Sequence, residues 1–168
     1  MIRRYKKVCF GGTFDIPIHK GHEALIDRAF EIGEFCVIGL TSDRYACSLR
    51  KLDFSLIKPY KERKSHLTEY LERRGYSKRY EIWELEDFCD RRLLEEETDV
   101  EAIIVSEERG RIAEEINKER SERDFRPYDI VRIPMVLAED GIKISSGRIR
   151  KEEIDKNGRL LESKKKGE

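Results

Sequence analysis

Gly11-Gly12-Thr13-Phe14-Asp15-Ile16-Pro17-Ile18-His19-Lys20-Gly21-His22 follows directly on the apolar triplet Val8-Cys9-Phe10 and leads into a helical pattern over 21–32. Strand, glycine turn and helix in that order make a phosphate cradle. The glycines let backbone approach a ligand closely, and the free N–H groups at the helix start attract anions. Thr13 adds a hydroxyl donor, and Pro17 fixes the turn. His19 and His22 lie three residues apart around Gly21, so both imidazoles can point into one pocket at the helix mouth. An imidazole N–H donates to a phosphoryl oxygen, which a crowded phosphoryl transition state requires. As metal ligands the two histidines lack a cysteine or third histidine nearby.

Working outward, short β-rich runs recur at 35–40, 80–85, 102–105 and 130–133, and those at 35–40 and 102–105 are almost wholly apolar, as in strands covered on both faces. Between them, 21–32, 60–71 and 109–123 carry apolar residues at helical spacing among charges. Strands alternating with helices predict βαβ units, hence an α/β fold with a five-stranded parallel sheet and helices on both faces. Ligands of such folds bind beyond the carboxyl ends of the strands, where strand order reverses. The segment 47–58 reads as an irregular, mobile loop, and the polar residues 156–168 read as a fraying tail after a single domain over 1–155.

Composition narrows the classes. In 168 residues, 42% are charged, and 35 Lys plus Arg balance 35 Asp plus Glu. A balanced surface gives no overall attraction to nucleic acid or anionic membrane. No apolar run is long enough for a signal peptide or a membrane span. Cys9, Cys36, Cys47 and Cys89 are scattered without a CxxC pair, and Cys9 and Cys36 sit in apolar runs as buried small hydrophobes. The expected compartment is the reducing cytoplasm, and a monomer is slightly favoured.

GGTFD followed by HKGH resembles the HxGH signature of the nucleotidyltransferase superfamily, a Rossmann-like fold shared distantly with class I aminoacyl-tRNA synthetases. The resemblance implies that His22 contacts the α-phosphate under attack, while His19 contacts the triphosphate and packs under the nucleotide. Gly12, Thr13, Phe14 and Gly21 complete this half of the expected ATP site.

A second motif, Ile144-Ser145-Ser146-Gly147-Arg148-Ile149-Arg150, follows the last strand about 120 residues further on. It opens like a capped helix, so the Ser145 and Ser146 hydroxyls can bind β- and γ-phosphates. Arg150 shares a helical face with Ser146, where its guanidinium can clamp the leaving pyrophosphate as a third catalytic group. Alone, this stretch also reads as a capped surface helix. It resembles the superfamily's ISSTxIR motif, with Gly147 where threonine is usual.

Further stretches (37–43, 58–63, 103–108 and 136–141) make the chain similar to archaeal and eukaryotic-type phosphopantetheine adenylyltransferases over about 5–160. That similarity implies transfer of AMP from ATP to 4′-phosphopantetheine, with Mg²⁺ held by the ATP phosphates and not by protein side chains. The expected acceptor-binding residues are Thr13, Asp15, Arg50 and Lys51. Ser106 and Asn117 are added to the ATP set because each sits on or after the fourth strand, and Arg120 reads equally as a solvated residue. His66 reads as a helix-surface residue and Trp83 as core. One departure is Glu86-Asp87-Phe88-Cys89-Asp90, where relatives carry a Gly-Pro-containing stretch. The rival readings are an archaeal FAD synthetase, which also opens GTFD-like, and a catalytically silent nucleotide sensor.

Overall fold

The computed structural model describes residues 3–50, 56–95 and 98–162. Along the chain come β1 (Tyr5–Gly12), α1 (Lys20–Ile32), β2 (Gly33–Thr41), α2 (Asp43–Arg50), α3 (Tyr60–Arg73), β3 (Tyr80–Leu85), β4 (Ala102–Ser106), α4 (Gly110–Glu122), β5 (Asp129–Ile133) and the short α5 (Ser146–Arg150). The strands form one sheet in the order β3-β2-β1-β4-β5, with every pairing parallel. Strand order therefore reverses at β1, and the glycine turn leaves the sheet at that reversal.

Side-chain alternation along the central strands divides the core into two layers. Val8, Phe10, Cys36, Ile38, Leu40, Ala102 and Ile104 face one way, against Ile26, Ala29 and Phe30 of α1 and Leu67 and Leu71 of α3. Cys9, Val37, Ile103 and Val105 face the other way, against Ala113 and Ile116 of α4 and Leu93. Burying each such Leu, Ile or Phe contributes roughly 1.5–3 kcal/mol, so these two layers hold the helices to both faces of the sheet. The edge strands β3 and β5 are only partly buried, as their alternating sequences require.

Two expectations about connections change. The chain is helical from Asp43 to Arg50, with Ala46 and Cys47 buried against Ile57, so the irregular segment does not begin at 47. Its polar face masked this helix in the sequence. Residues 51–55 of that segment lie outside the described residues. Beyond α5 the chain is held down as well: the Lys20 N–H donates to the Lys156 carbonyl at 3.0 Å, Ile154 bridges Leu160, and the Glu139 N–H donates to the Gly158 carbonyl. Fraying from 156 was expected, but these bonds tie the chain to the start of α1 and to the 136–143 turn. No helix among the described residues is long and apolar enough to cross a membrane.

Candidate functional site

His19 and His22 build the start of α1 themselves. His19 is the N-cap, and its Nδ1 accepts the backbone N–H of Gly21 at 3.1 Å and of His22 at 3.3 Å. His22 Nδ1 accepts the His19 N–H in return at 3.3 Å. This is a capping box in which imidazoles replace the usual hydroxyl and carboxylate. The consequence is chemical. With both Nδ1 atoms occupied as acceptors, each neutral ring carries its proton on Nε2, the edge directed away from the helix backbone. The rings stack at 3.7 Å between centroids and 16° between planes, so the two N–H donors are fixed side by side.

Burial reinforces this state. His19 is 6% exposed, and desolvation pulls its pKa down from 6.5 to about 4, so the ring is neutral at physiological pH. Gly21 is required by the same geometry. A Cβ there would sit 2.9 Å from His19 Cε1 and 3.1 Å from Nδ1, inside the capped ring. Phe14 braces the other side, with its ring centroid 5.0 Å from that of His22. Phe14 is 1% exposed and holds a left-handed backbone (φ 45°), so it offers a ligand little but backbone. Gly12 and Thr13 end the strand beside it. Thr13 is buried, and its hydroxyl accepts from Thr41 Oγ1 at 3.1 Å.

The second motif arrives at the same place. Ser145 caps α5, its Oγ accepting the Arg148 N–H at 3.2 Å, and Ser146 begins the helix. Arg150 Nη1 donates to Asp15 Oδ2 at 2.7 Å, across 135 residues of sequence. The two arginines of the motif differ. Arg148 is committed to Asp140, Glu153 and the carbonyls of Ile142 and Lys143, and shapes the turn before the motif. Arg150 faces the first motif. At Gly147 a Cβ would meet nothing closer than 3.8 Å, so the missing threonine reflects no crowding.

The other predicted residues divide. Ser106 ends β4 half-buried at the sheet's carboxyl edge. Asn117 is at the opposite end: its amide donates to the Tyr128 carbonyl at 2.9 Å and accepts the Tyr128 N–H at 2.8 Å, where β5 begins. Its side chain ties α4 to the sheet, and nucleotide contact is not its place. Arg120, 2% exposed, donates to the carbonyls of Leu93, Glu95 and Arg126. His66 is no mere surface residue, because its Nε2 accepts the Ile18 N–H at 3.4 Å next to His19. Lys51 and the Arg50 side chain lie outside the described residues.

Sequence reasoning missed the cleft wall. A cavity of about 230 Å³ opens beside Gly12, Thr13 and His22. Its far side is Tyr45 and Leu49 of α2, Trp83 and Leu85 of β3, Phe88, Cys89 and Asp90, and Arg109 ahead of α4. Trp83 is half-buried and carries the Arg92 guanidinium 3.5 Å over its ring, so it serves core and cleft together. Phe88, Cys89 and Asp90 of the 86–90 stretch are thus part of the wall. Arg63, also missed, is fully buried and donates to the carbonyls of Thr13 (2.8 Å), Thr41 (2.9 Å) and Lys58 (2.8 Å) and to Asp43 (3.1 Å). It fastens the ends of β1 and β2 to the chain that precedes α3. A basic residue at the start of an apolar helical face was its only sequence signal.

Residues 9–152 match the model of the cytidylyltransferase-like family. The chain is 44% identical over 161 residues, 96% of its length and 93% of the relative's, to phosphopantetheine adenylyltransferase of Methanothermobacter thermautotrophicus. It is 40% identical to that of Pyrococcus furiosus, covering 99% of this chain and 100% of the relative. Among solved structures, a protein of unknown function from Archaeoglobus fulgidus is 34% identical and superposes with a TM-score of 0.64 over 76% of this chain and 88% of that one.

Proposed function

The chain belongs to the cytidylyltransferase-like family and, within it, to the archaeal phosphopantetheine adenylyltransferases, and on that premise we propose how its residues transfer AMP from ATP to 4′-phosphopantetheine. The observation that carries the reading is the pair of stacked histidines with both Nδ1 atoms engaged as acceptors, which leaves Nε2 as the protonated nitrogen of each neutral ring. An oxygen of the acceptor's phosphate attacks the α-phosphorus in line. The bond from that phosphorus to the β-bridging oxygen breaks, and pyrophosphate leaves with the electron pair. No covalent enzyme intermediate is needed.

Catalysis is then positioning and charge stabilisation. His22 donates to the α-phosphate oxygens as charge builds there, and His19 donates to the neighbouring phosphates. Ser145, Ser146 and Arg150 hold the pyrophosphate end, with Gly12, Thr13, Gly21 and Ser106 close by. The mainly apolar cavity beside His22 suits the uncharged arm of phosphopantetheine, and Thr13 and Arg109 are among its polar lining residues. Among the described residues there is no group of three or more His, Cys, Asp or Glu side chains placed to hold a metal ion. In this reading the divalent cation is Mg²⁺, carried by the ATP phosphates, where it would supply charge neutralisation. The enzyme would act in the cytoplasm, without nucleic acid or membrane.

The test is pyrophosphate release from ATP and Mg²⁺ in the presence of 4′-phosphopantetheine, of FMN, or of no acceptor. Release with phosphopantetheine alone is expected. Release only with FMN would move the assignment to flavin synthesis, and ATP binding without release would make the protein a nucleotide sensor.

A further inference from the structure

Asp15 was expected to bind the acceptor, but its surroundings assign it a different task. The carboxylate is 4% exposed. Its Oδ1 accepts the N–H groups of Ile16 at 3.0 Å and of Lys58 at 3.1 Å, and its Oδ2 accepts Arg150 Nη1 at 2.7 Å. A carboxylate offers about four lone-pair sites, and three are filled. A phosphate dianion brought directly against it would meet a buried like charge. As an acceptor ligand, Asp15 is unsuited in both charge and capacity.

As an anchor it is well suited. Arg150 ends a five-residue helix, and a long side chain there has many rotamers to lose when it engages a substrate. One hydrogen bond to Asp15 removes that freedom in advance and leaves the remaining guanidinium donors for phosphate oxygens. Asp15 is itself rigidly held. The Lys58 peptide bonds to Asp15 through its N–H and to the buried Arg63 through its carbonyl at 2.8 Å, and Arg63 also grips the Thr13 carbonyl. The chain of contacts runs Thr13, Arg63, Lys58 peptide, Asp15, Arg150, and it joins the two motifs through fixed groups.

We propose that Asp15 is a positioning residue that presets the Arg150 guanidinium for the pyrophosphate end of ATP and ties that setting to the segment before α3. The inference rests on the role given to Arg150 above, and it is independent of which acceptor the enzyme uses. Because Asp15 acts through Arg150, the two residues must be non-additive.

The experiment is a double-mutant cycle of Asp15→Asn and Arg150→Gln. The asparagine keeps an oxygen for the Ile16 and Lys58 N–H groups and puts an NH2 donor where Arg150 has its acceptor, so it breaks that contact and removes the charge. Wild-type enzyme is assayed first with each acceptor, and the cycle is run with whichever supports turnover, so a wrong acceptor assignment reads out separately. D15N is expected to lower kcat by about tenfold or more, with the acceptor KM changed by less than about threefold. In the R150Q background the same substitution is expected to cost less than about twofold. The Kd of inorganic pyrophosphate, measured by calorimetry, gives the same cycle without turnover, and non-additivity is expected there too. Full additivity in either readout, an unchanged kcat in D15N, or a rise of about tenfold in acceptor KM alone would overturn the proposal. If D15N melts too low to assay, Asp15→Glu replaces it, which keeps the charge but displaces it by one methylene; the same non-additivity is expected.

Discussion

Replacing His19 by asparagine should abolish a specific part of the protein's acid sensitivity. The folded imidazole has a pKa of about 4, because burial disfavours its charged form, against an ordinary 6.5. Between those values the unfolded chain binds a proton that the folded chain refuses. Stability therefore rises with pH through this window: the contribution is complete above about 6.5 and lost as pH falls towards 4. At pH 4.5 that single linkage removes about 2.5 kcal/mol relative to pH 7.5. Asparagine is a good N-cap whose oxygen can accept the same Gly21 and His22 N–H groups, and it does not titrate. Urea unfolding followed by the fluorescence of Trp83, the sole tryptophan, at pH 7.5 and 4.5 gives the stability loss for each protein. Carboxylates titrate in both and cancel. H19N should lose about 2.5 kcal/mol less than wild type on acidification. Equal losses in the two proteins would refute the claim that His19 is held neutral by its place under the helix.

Two further substitutions test the frame around the histidines. Gly21→Ala places a methyl 2.9 Å from His19 Cε1, and the ring cannot swing aside without losing its cap and its stack on His22. A fall in kcat of about tenfold or more with a melting temperature within a few degrees of wild type is expected; an unchanged kcat would show that the ring's setting is unimportant. Arg63→Met takes the guanidinium from the buried carbonyls of Thr13 and Thr41, from the Lys58 carbonyl and from Asp43, and should cost about 3–5 kcal/mol in denaturant unfolding. A cost below about 1 kcal/mol would mean that the strand ends hold their geometry without it.

Much of this was legible from residues. The apolar runs at 35–40 and 102–105 mark β2 and β4, and the glycine turn marks the strand at which sheet order reverses. The two motifs were legible because each leads into the start of a helix, where backbone donors are exposed, the first straight from β1 and the second after the 134–143 turn. What was not legible is what only the fold brings together. Asp15 and Arg150 are 135 residues apart, and nothing local to either predicts their bond. The cleft wall at Tyr45, Leu49, Trp83 and Phe88 comes from three separate elements, each with an ordinary composition. Asn117 misled because position after β4 was used without asking how far along α4 it stands. Seven residues into that helix, the chain has already returned to the amino edge of the sheet. His66 was passed over because a helix pattern gives its face but not the loop that lies across it.

The central claim is that His22 acts on the α-phosphate more strongly in the transition state than in the ground state. The measurement that bears on it most directly is kcat and the ATP Kd of His22→Ala, taken side by side. Removing one donor of this kind costs roughly 3–4 kcal/mol, so turnover should fall by about a hundredfold to a thousandfold while ATP binding stays within a few fold. Turnover equal to wild type, or a loss confined to ATP binding, would contradict the account.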